Sequence, residues 1–223
     1  MNVNLPVVRA RWCDTGRIVD LVTDTVSATA LAAWLVPDQG RRRQVLAAVT
    51  RIWVEHALLF GDAFLLRDGS AATVWFHRYR PLPAPPRYAA RLAAACGADR
   101  DRFLHLDRSL ARRRPAEAHN HLALLAAPGP DAGERALAVV TGAQHWMDTL
   151  NLPTYAEALS EADRDLYRRL GYADRDAFPV PGDTTLHALW RLPPALGGGN
   201  ARWPARRRTA RTHNGRAIGW ALR

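Results

Sequence analysis

The chain has 223 residues, 48% of them hydrophobic, and a formal net charge of +10 at neutral pH. This length and apolar content suffice for one domain of ordinary size with a complete core. Its two cysteines, Cys13 and Cys96, exclude a disulfide framework and a cysteine-rich zinc site, and no run of eighteen apolar residues is present that could span a membrane.

The first sixty residues predict a strand followed by two helices. The strand covers residues 5–11, and Asp14 or Thr15 can cap the first helix by accepting from its free N–H groups. Asp38 can cap the second helix in the same way. In both helices apolar residues recur every three or four positions, which is helical spacing.

A hairpin, an extended connection and two more helices follow. The sequence Asp68-Gly69-Ser70 is typical of a tight hairpin turn between strands at 62–67 and 71–77. Prolines then disfavour a helix over residues 79–86. The next two helices are predicted at 87–96 and 99–113, and Pro115 ends the second.

Strands and helices alternate in the second half of the chain. Residues 121–126 form a continuous apolar run, as expected of a buried central strand. The alternation predicts a mixed α/β sheet with helices on both faces. The remaining predicted elements are a helix at 133–150, a strand at 154–158, a helix at 161–170 and a strand at 185–192.

The C-terminal segment differs in composition from the rest. Residues 200–223 contain seven arginines and no acid, so the rest of the chain carries only about +3. We therefore divide the chain into a domain at 1–195 and a glycine-rich linker with an arginine-rich extension at 196–223. A solvated extension is expected of such a composition, although Trp203 and Trp220 are apolar anchors that would also suit docking on the body, a second subunit or an acidic partner.

One block carries the functional information. From His119 to Arg191 the order is strand, Pro/Gly turn, helix, strand, helix, strand, with Tyr155-x-Glu157 and Tyr167–Tyr172 in its second part. This order resembles the GNAT superfamily of N-acetyltransferases, especially the antibiotic-modifying actinobacterial type that includes puromycin N-acetyltransferases. The resemblance covers about residues 5 to 193, and further similar segments occur at Trp34–Asp38, Arg51–Ala57 and Asp68–Trp75.

The resemblance implies a fold and a reaction. The fold is a mixed central sheet whose parallel strands 121–126 and 154–158 splay apart to admit a pantetheine arm. The reaction moves an acyl group from a pantetheine thioester to the amine of a small molecule, in natural-product biosynthesis or antibiotic modification. Tyr167 would protonate the departing thiolate, and no metal is expected. The implied donor contacts are Leu125, Ala126, Ala127, Gly133, Glu134, Arg135, Ala136, Leu137 and Ala138.

The loop that would bind the donor diphosphate departs from the family pattern. In place of Gln/Arg-x-x-Gly-x-Gly/Ala the chain has Ala132-Gly133-Glu134-Arg135-Ala136-Leu137. Three interpretations stay open. Arg135 could replace lost backbone contacts to the phosphates of acetyl-CoA or another acyl-CoA; the donor could be 4'-phosphopantetheine on an acidic acyl carrier protein, which a basic chain attracts; or the fold could be inactive.

Three polar residues on the two central strands are candidates for proton transfer. A buried carboxylate such as Glu157, with its pKa raised by burial, is a suitable base for an ammonium substrate, or else the partner of an arginine. His119 and His121 begin the same strand, and we assign them to opposite faces, with one of them able to accept the amine proton. Alternatively, both histidines are simply polar residues at the end of a strand and take no part in proton transfer.

Aromatic and polar residues upstream are candidates for the acceptor pocket. Trp34, Trp53, Trp75 and Trp146 could form its walls, although tryptophan at such spacing is more often core. Glu55 and His56 on the second helix are candidates for acceptor specificity, together with His119.

The rival class is a binding module for RNA or an acidic protein, with aminoacyl-tRNA-dependent transfer as a further reading. No nucleic-acid motif and no interleaving of aromatic residues with arginine on one strand supports it. Every basic residue is arginine, which genomic codon bias alone could produce. The N-terminus shows no secretory signal, so we expect a cytoplasmic protein, and a homodimer stays open.

Overall fold

The computed structural model describes residues 7–194. The predicted linker and arginine-rich extension, and the start of the predicted first strand, lie outside the described residues. Within them the strands are β1 Val7–Arg9, β2 Gly61–Leu66, β3 Ala72–His77, β4 Asn120–Ala126, β5 Thr154–Ala158, β6 Ala173–Val180 and β7 Thr184–Arg191. The helices are α1 Thr15–Val26, α2 Ala30–Leu35, α3 Gln39–Phe60, α4 Tyr88–Cys96, α5 Arg100–Arg113, α6 Ala132–Asp148 and α7 Glu161–Arg169.

The strands form one seven-stranded sheet in the order β1-β2-β3-β4-β5-β7-β6. All neighbours are antiparallel except β4 and β5, which are parallel. This pair lies at the middle of the sheet, as the apolar run of β4 predicts.

Helices cover both faces of the sheet, which confirms the predicted mixed α/β architecture. On one face, α6 and α7 pack against β2, β4 and β5 around the fully buried Trp75 and Val139. On the other face, α1 and α3 pack on β2 to β4, and α5 packs on β5 to β7 through Leu106 and Leu110. No helix within residues 7–194 is both long and apolar enough to cross a membrane.

A β-bulge in β4 decides which side chains reach which face. Val74 of β3 pairs with Leu124, whereas the next residue, Trp75, pairs with Leu122, so Ala123 is the extra residue. A bulge shifts the alternation of the strand by one position. Ala123 and Leu124 therefore both face the α1 side, while Leu122 and Leu125 face the α6 side.

Most local predictions are confirmed by the element bounds. Asp38 caps α3 by accepting from the N–H groups of Gly40 and Arg41, and the hairpin turn lies at residues 67–71 with Gly69 at φ +70°. Asp14, by contrast, does not cap α1 with its side chain, which instead accepts from the backbone N–H of Arg11 at 2.7 Å. Two elements were missed: α2, which Thr29 caps, and β6, an edge strand whose exposed charged residues and Pro179 do not read as a strand.

Candidate functional site

The two parallel strands separate halfway along their length. β4 and β5 are in register only at Asn120–Thr154, His121–Tyr155 and Leu122–Ala156. Beyond these pairs β4 continues on β3 and β5 continues on β7, with Glu157 opposite Ala188. The facing edges of the two strands are thus unpaired from Ala123 and Glu157 onward, which confirms the predicted splayed pair.

A cavity of about 720 Å³ opens beside the end of β4, between α6 and α7. We call it the α6–α7 cavity. The first N–H groups of a helix have no partner inside the helix and favour an anion, and those of α6 begin at this cavity. Arg169 of α7 also lines it. The lining residues are Thr25, Leu125, Ala127, Ala132, Gly133, Ala136, Ala162, Asp163, Asp165, Leu166, Arg168 and Arg169.

The loop before α6 is braced by a side chain. The Arg135 guanidinium folds back and donates from Nη2 to the carbonyl oxygens of Pro128 and Pro130, at 2.5 Å each. Arg135 is therefore not among the residues that line the cavity. Of the nine predicted donor contacts, four do line it: Leu125, Ala127, Gly133 and Ala136. Ala126 packs on the opposite face, Glu134 is exposed, and Leu137 and Ala138 pack against the core around α6.

A second cavity lies across the sheet from the first. It has a volume of about 190 Å³, and we call it the apolar cavity. Glu157 is the one charged residue among those that line it. The lining residues are Val26, Thr29, Leu31, Ala32, Leu35, Leu46, Leu106, Leu110, Ala123, Leu124, Glu157, Leu159 and Leu186.

Glu157 and His121 form a buried pair at the point of separation. His121 Nε2 lies 2.7 Å from Glu157 Oε2, and Arg78 Nε donates to His121 Nδ1 at 3.2 Å. Because Nδ1 accepts, the ring proton is assigned to Nε2, which donates to the carboxylate. The other carboxylate oxygen, Oε1, is buried and has no hydrogen-bond partner within 3.5 Å among the described residues, although the Tyr155 hydroxyl interacts with this carboxylate.

The pair consists of a neutral imidazole and an ionised carboxylate. Burial lowers the pKa of His121, although the Glu157 carboxylate acts in the opposite direction. Burial by itself would raise the pKa of Glu157, but the contacts with His121 and the charge of Arg114 outweigh it. This pKa therefore lies below its ordinary value, and the predicted raised pKa is wrong. Sequence reasoning identified Glu157 and His121 and missed Arg78 and Arg114, which are distant in sequence.

His119 lies on the same face of β4 as His121, and its assignment to the opposite face is wrong. Residues two positions apart in a strand point to the same side, and the two ring centroids are 6.3 Å apart. His119 Nδ1 lies 2.6 Å from the carbonyl oxygen of Glu117. Burial, followed by the positive charges nearby, lowers the pKa of His119 to about 4. His119 lines neither of the two cavities.

Comparison with solved structures gives the fold. The chain is similar to an acetyltransferase from Corynebacterium glutamicum described as histone acetyltransferase HPA2 and related acetyltransferase, at 23% identity and a TM-score of 0.63, over 84% of this chain and 96% of that one. It is similar to the polyamine N-acetyltransferase of Drosophila melanogaster at 18% identity and a TM-score of 0.52, over 83% and 98%. It is also similar to the C-terminal condensation domain of Ebony at 12% identity and a TM-score of 0.51, over 83% and 97%.

The chain has the GNAT fold. The neighbouring structures and the sheet with its one parallel pair agree on this. The sequence matches no protein-family model and no curated relative. Below 25% identity the likeness extends to the fold alone.

Within this GNAT fold, Tyr167 belongs to the core. Its side chain is buried against α6, and its ring centroid is 5.4 Å from that of Tyr172. Leu166 and Arg168 line the α6–α7 cavity, but Tyr167 does not. Burial, reinforced by the charge of Asp163, raises the pKa of Tyr167 well above its ordinary value, so the hydroxyl keeps its proton.

The four other predicted acceptor residues do not line the apolar cavity of this GNAT fold. Trp34 packs beneath Arg102, and Trp53 packs on Tyr88. His56 is buried against Phe60 and Phe76, while Glu55 pairs with Arg91 at 2.5 Å. Aromatic rings fill space in a core and leave few cavities. The leucines that do line the cavity were not singled out because their spacing is that of ordinary helix packing.

Two more tryptophans were predicted to form walls of the acceptor pocket. Trp75 is fully buried, with Nε1 donating to Thr73, and Trp146 is half exposed on α6. Neither lines the apolar cavity. Within residues 7–194, no group of three or more His, Cys, Asp or Glu side chains is arranged to hold a metal ion.

Proposed function

We propose that the protein is an N-acyltransferase that moves an acyl group from a pantetheine thioester to the amine of a small molecule. The observation that carries the proposal is the free Oε1 of Glu157. This buried carboxylate oxygen has no hydrogen-bond partner within 3.5 Å among the described residues, and Glu157 lies at the wall of the apolar cavity, where β4 and β5 separate. A buried, ionised acceptor at the edge of an otherwise apolar cavity is suited to take a proton from an amine.

Glu157 is the proposed general base, and His121 is the proposed positioning residue. The cationic end of the acceptor would first lose one proton to solvent. The neutral amine nitrogen would then attack the thioester carbonyl carbon and give a second proton to Oε1. Oε2 is already engaged by the neutral His121 N–H, which fixes the orientation of the carboxylate. Arg78 holds His121 in the required tautomer from the other ring nitrogen.

The donor is proposed to enter from the α6–α7 cavity. Amide groups of a pantetheine arm match the unpaired strand edges between β4 and β5, and a phosphate would meet the first N–H groups of α6 and Arg169. As the new C–N bond forms, the C–S bond breaks and the electron pair leaves with sulfur. Tyr167 is the proposed proton donor to that thiolate; its raised pKa keeps the hydroxyl protonated but makes it a weaker acid, and its side chain does not line the α6–α7 cavity.

The acceptor is proposed to be a monoamine with an apolar body. The cavity offers leucine side chains and a single carboxylate, which suits one cationic end and not several. Among the similar structures, the Drosophila enzyme forms N-acetylagmatine and the Ebony domain is in complex with beta-alanyl-dopamine. The dopamine part of the second compound resembles the proposed acceptor class more closely than agmatine does, and an antibiotic or natural-product amine belongs to the same class.

Free acyl-CoA and an acylated carrier protein are both retained as donors. The engagement of Arg135 with the loop carbonyls favours the second, because the side chain that could have compensated the lost glycines is already bonded. A thermal-shift comparison of acetyl-CoA, pantetheine and an acylated carrier protein separates them. Stabilisation by acetyl-CoA alone would remove the carrier-protein reading.

The function is tested by acyl transfer to a panel of amines, followed by mass spectrometry of the products. We expect amide products from arylalkylamines, and their loss in Glu157→Gln. Glu55→Gln is the matched control, because Glu55 is also a half-buried carboxylate but is paired with Arg91 outside the cavity. If no donor shifts the melting temperature and no amine is acylated, the binding-module alternative replaces this proposal.

A further inference from the structure

A third cavity lies under the end of α5, against β5, β6 and β7. Its volume is about 230 Å³. We call it the arginine pocket, because four of its nine lining residues are arginines. The lining residues are Arg112, Arg113, Arg114, Pro115, Tyr155, Arg175, Asp176, Phe178 and Ala188.

The arginines of the pocket form no close ion pair within residues 7–194, although Asp176 also lines the pocket and the charges of Glu157 and Asp107 act on Arg114. No carboxylate oxygen among these residues lies within 4.0 Å of a guanidinium nitrogen of Arg112, Arg113, Arg114 or Arg175. Other arginines of the protein do form ion pairs, as Arg91 does with Glu55. Arg175 and Arg113 instead lie over the rings of Trp190 and Phe178, with the guanidinium carbons 5.0 and 5.6 Å from the ring centroids.

Two buried donors at the floor of the pocket have no acceptor within 3.5 Å among the described residues. Tyr155 is only 1% exposed, and its hydroxyl meets no such acceptor, although it interacts with the Glu157 carboxylate beside it on β5. Arg114 Nε is also buried and has no hydrogen-bond partner among the described residues. A buried donor without an acceptor destabilises a fold unless a ligand or water supplies one. Burial and the charge of Glu157 raise the pKa of Tyr155, so its hydroxyl remains a donor at neutral pH.

We propose that the arginine pocket binds a compact oxyanion, either a carboxylate or a phosphate group. Tyr155 O–H and Arg114 Nε–H would donate to it from the floor, and Arg175 and the arginines at the end of α5 would surround it with charge. Charge-assisted bonds from guanidinium groups to such oxygens are short and strong. A cation or an apolar group has no comparable set of partners there.

The site is separate from the α6–α7 cavity, which lies across the sheet. It is close to the proposed base, because Tyr155 and Glu157 are two positions apart on one face of β5. The positive charge of Arg114 helps to lower the pKa of Glu157. The negative charge of a bound oxyanion would offset this effect. The binding itself does not depend on the proposed acyl transfer.

Calorimetric titration of the full chain with sodium phosphate and, separately, with sodium acetate tests the proposal, with sodium chloride keeping the ionic strength constant. We expect saturable one-to-one binding of at least one of the two. Arg114→Gln and Arg175→Gln should each weaken it by about tenfold or more, since bonds to charged groups contribute on that scale. Tyr155→Phe, which removes only the hydroxyl, should weaken it several-fold.

Arg100→Gln is the matched control, because it removes one exposed positive charge from the opposite end of α5. It should leave the affinity within about twofold, since exposed charges away from a site act weakly through solvent. Circular dichroism melts identify any variant that does not fold, and Tyr155→Phe keeps the proposal testable if an arginine variant fails. Absence of saturable binding would overturn the proposal, and so would binding that Gly133→Glu abolishes while Arg175→Gln and Tyr155→Phe leave it unchanged.

Discussion

His121 Nε2 donates to Glu157 Oε2 across 2.7 Å, and this bond joins β4 to β5 where their backbones part. One oxygen of the carboxylate is held, while the other is left free at the wall of the apolar cavity. The arrangement assigns different tasks to the two side chains, and substitutions can separate them.

Replacing Glu157 by Gln should lower kcat for amine acylation by about a hundredfold or more, the usual contribution of a general base. The amide cannot take the proton but keeps the shape of the side chain. Steady-state kinetics with acetyl-CoA and an arylalkylamine measure the effect. A loss below about threefold, in a variant that melts like the wild type, would remove Glu157 from the reaction.

In the wild type, kcat should decrease in acid only at pH values below the ordinary pKa range of carboxyl groups. The reason is that the pKa of Glu157 is lowered in the folded protein. The group is then ionised, and active as a base, until the pH falls through that lowered value. A pH profile of kcat at saturating substrates checks this. An acid limb centred above about pH 6, the range of raised carboxyl groups, would contradict the assignment.

His121 should act through Glu157 and not on the substrate. His121→Gln keeps an N–H that can donate to Oε2, so we expect activity within about tenfold of the wild type. His121→Leu removes the donor, and the pKa of Glu157 should rise. The acid limb of kcat should therefore move to higher pH in His121→Leu only, a change that a merely structural histidine would not produce.

Stability should fall in acid because His119 is buried in its neutral form. Its folded pKa is about 4, below the value near 6.5 of a free histidine. Between these two values the unfolded chain binds more protons, so stability decreases as the pH falls through this window. The melting temperature of His119→Gln should vary less between pH 7 and pH 4.5 than that of the wild type. His145→Gln, at an exposed histidine of α6, should follow the wild type.

Tyr167 and Tyr172 form a matched pair for testing proton donation to sulfur. If Tyr167 is the donor, Tyr167→Phe should reduce turnover by more than about tenfold without unfolding the protein. Tyr172 Oη donates to Gln144 Oε1 at 2.5 Å, so Tyr172→Phe should lower the melting temperature and leave turnover nearly unchanged. Unchanged turnover in Tyr167→Phe would exclude the donor role and leave this side chain a packing residue.

Much of the fold follows from local sequence patterns. Asp38 and Gly69 predict a helix start and a turn because capping and positive φ are decided by the residue itself and its neighbours. β6 was missed because an edge strand need not be apolar, and α2 because six residues are too few to display a period. The bulge at Ala123 depends on how β4 fits β3, which no local pattern records.

The site was predictable where its polar residues lie within the central strands. His121 and Glu157 stand out because polar residues interrupt apolar strands. Arg78 and Arg114 come from a strand end and a helix end that only the fold brings together. Trp34 and Trp53 were predicted as pocket walls because size and aromaticity do not distinguish a wall from a core, whereas the leucines that line the apolar cavity look like ordinary packing.

The separation of β4 from β5 also divides the chain in sequence. Strands β1 to β4 all precede Asp148, strands β5 to β7 all follow Asn151, and three residue pairs join the two half-sheets. The exposed turn at residues 149–151 is thus a natural place for a cut. Two separately expressed halves should associate through the β4–β5 pairs and through the packing of α5 and α6 on the second half, and a molecule bound in the gap would contact both halves.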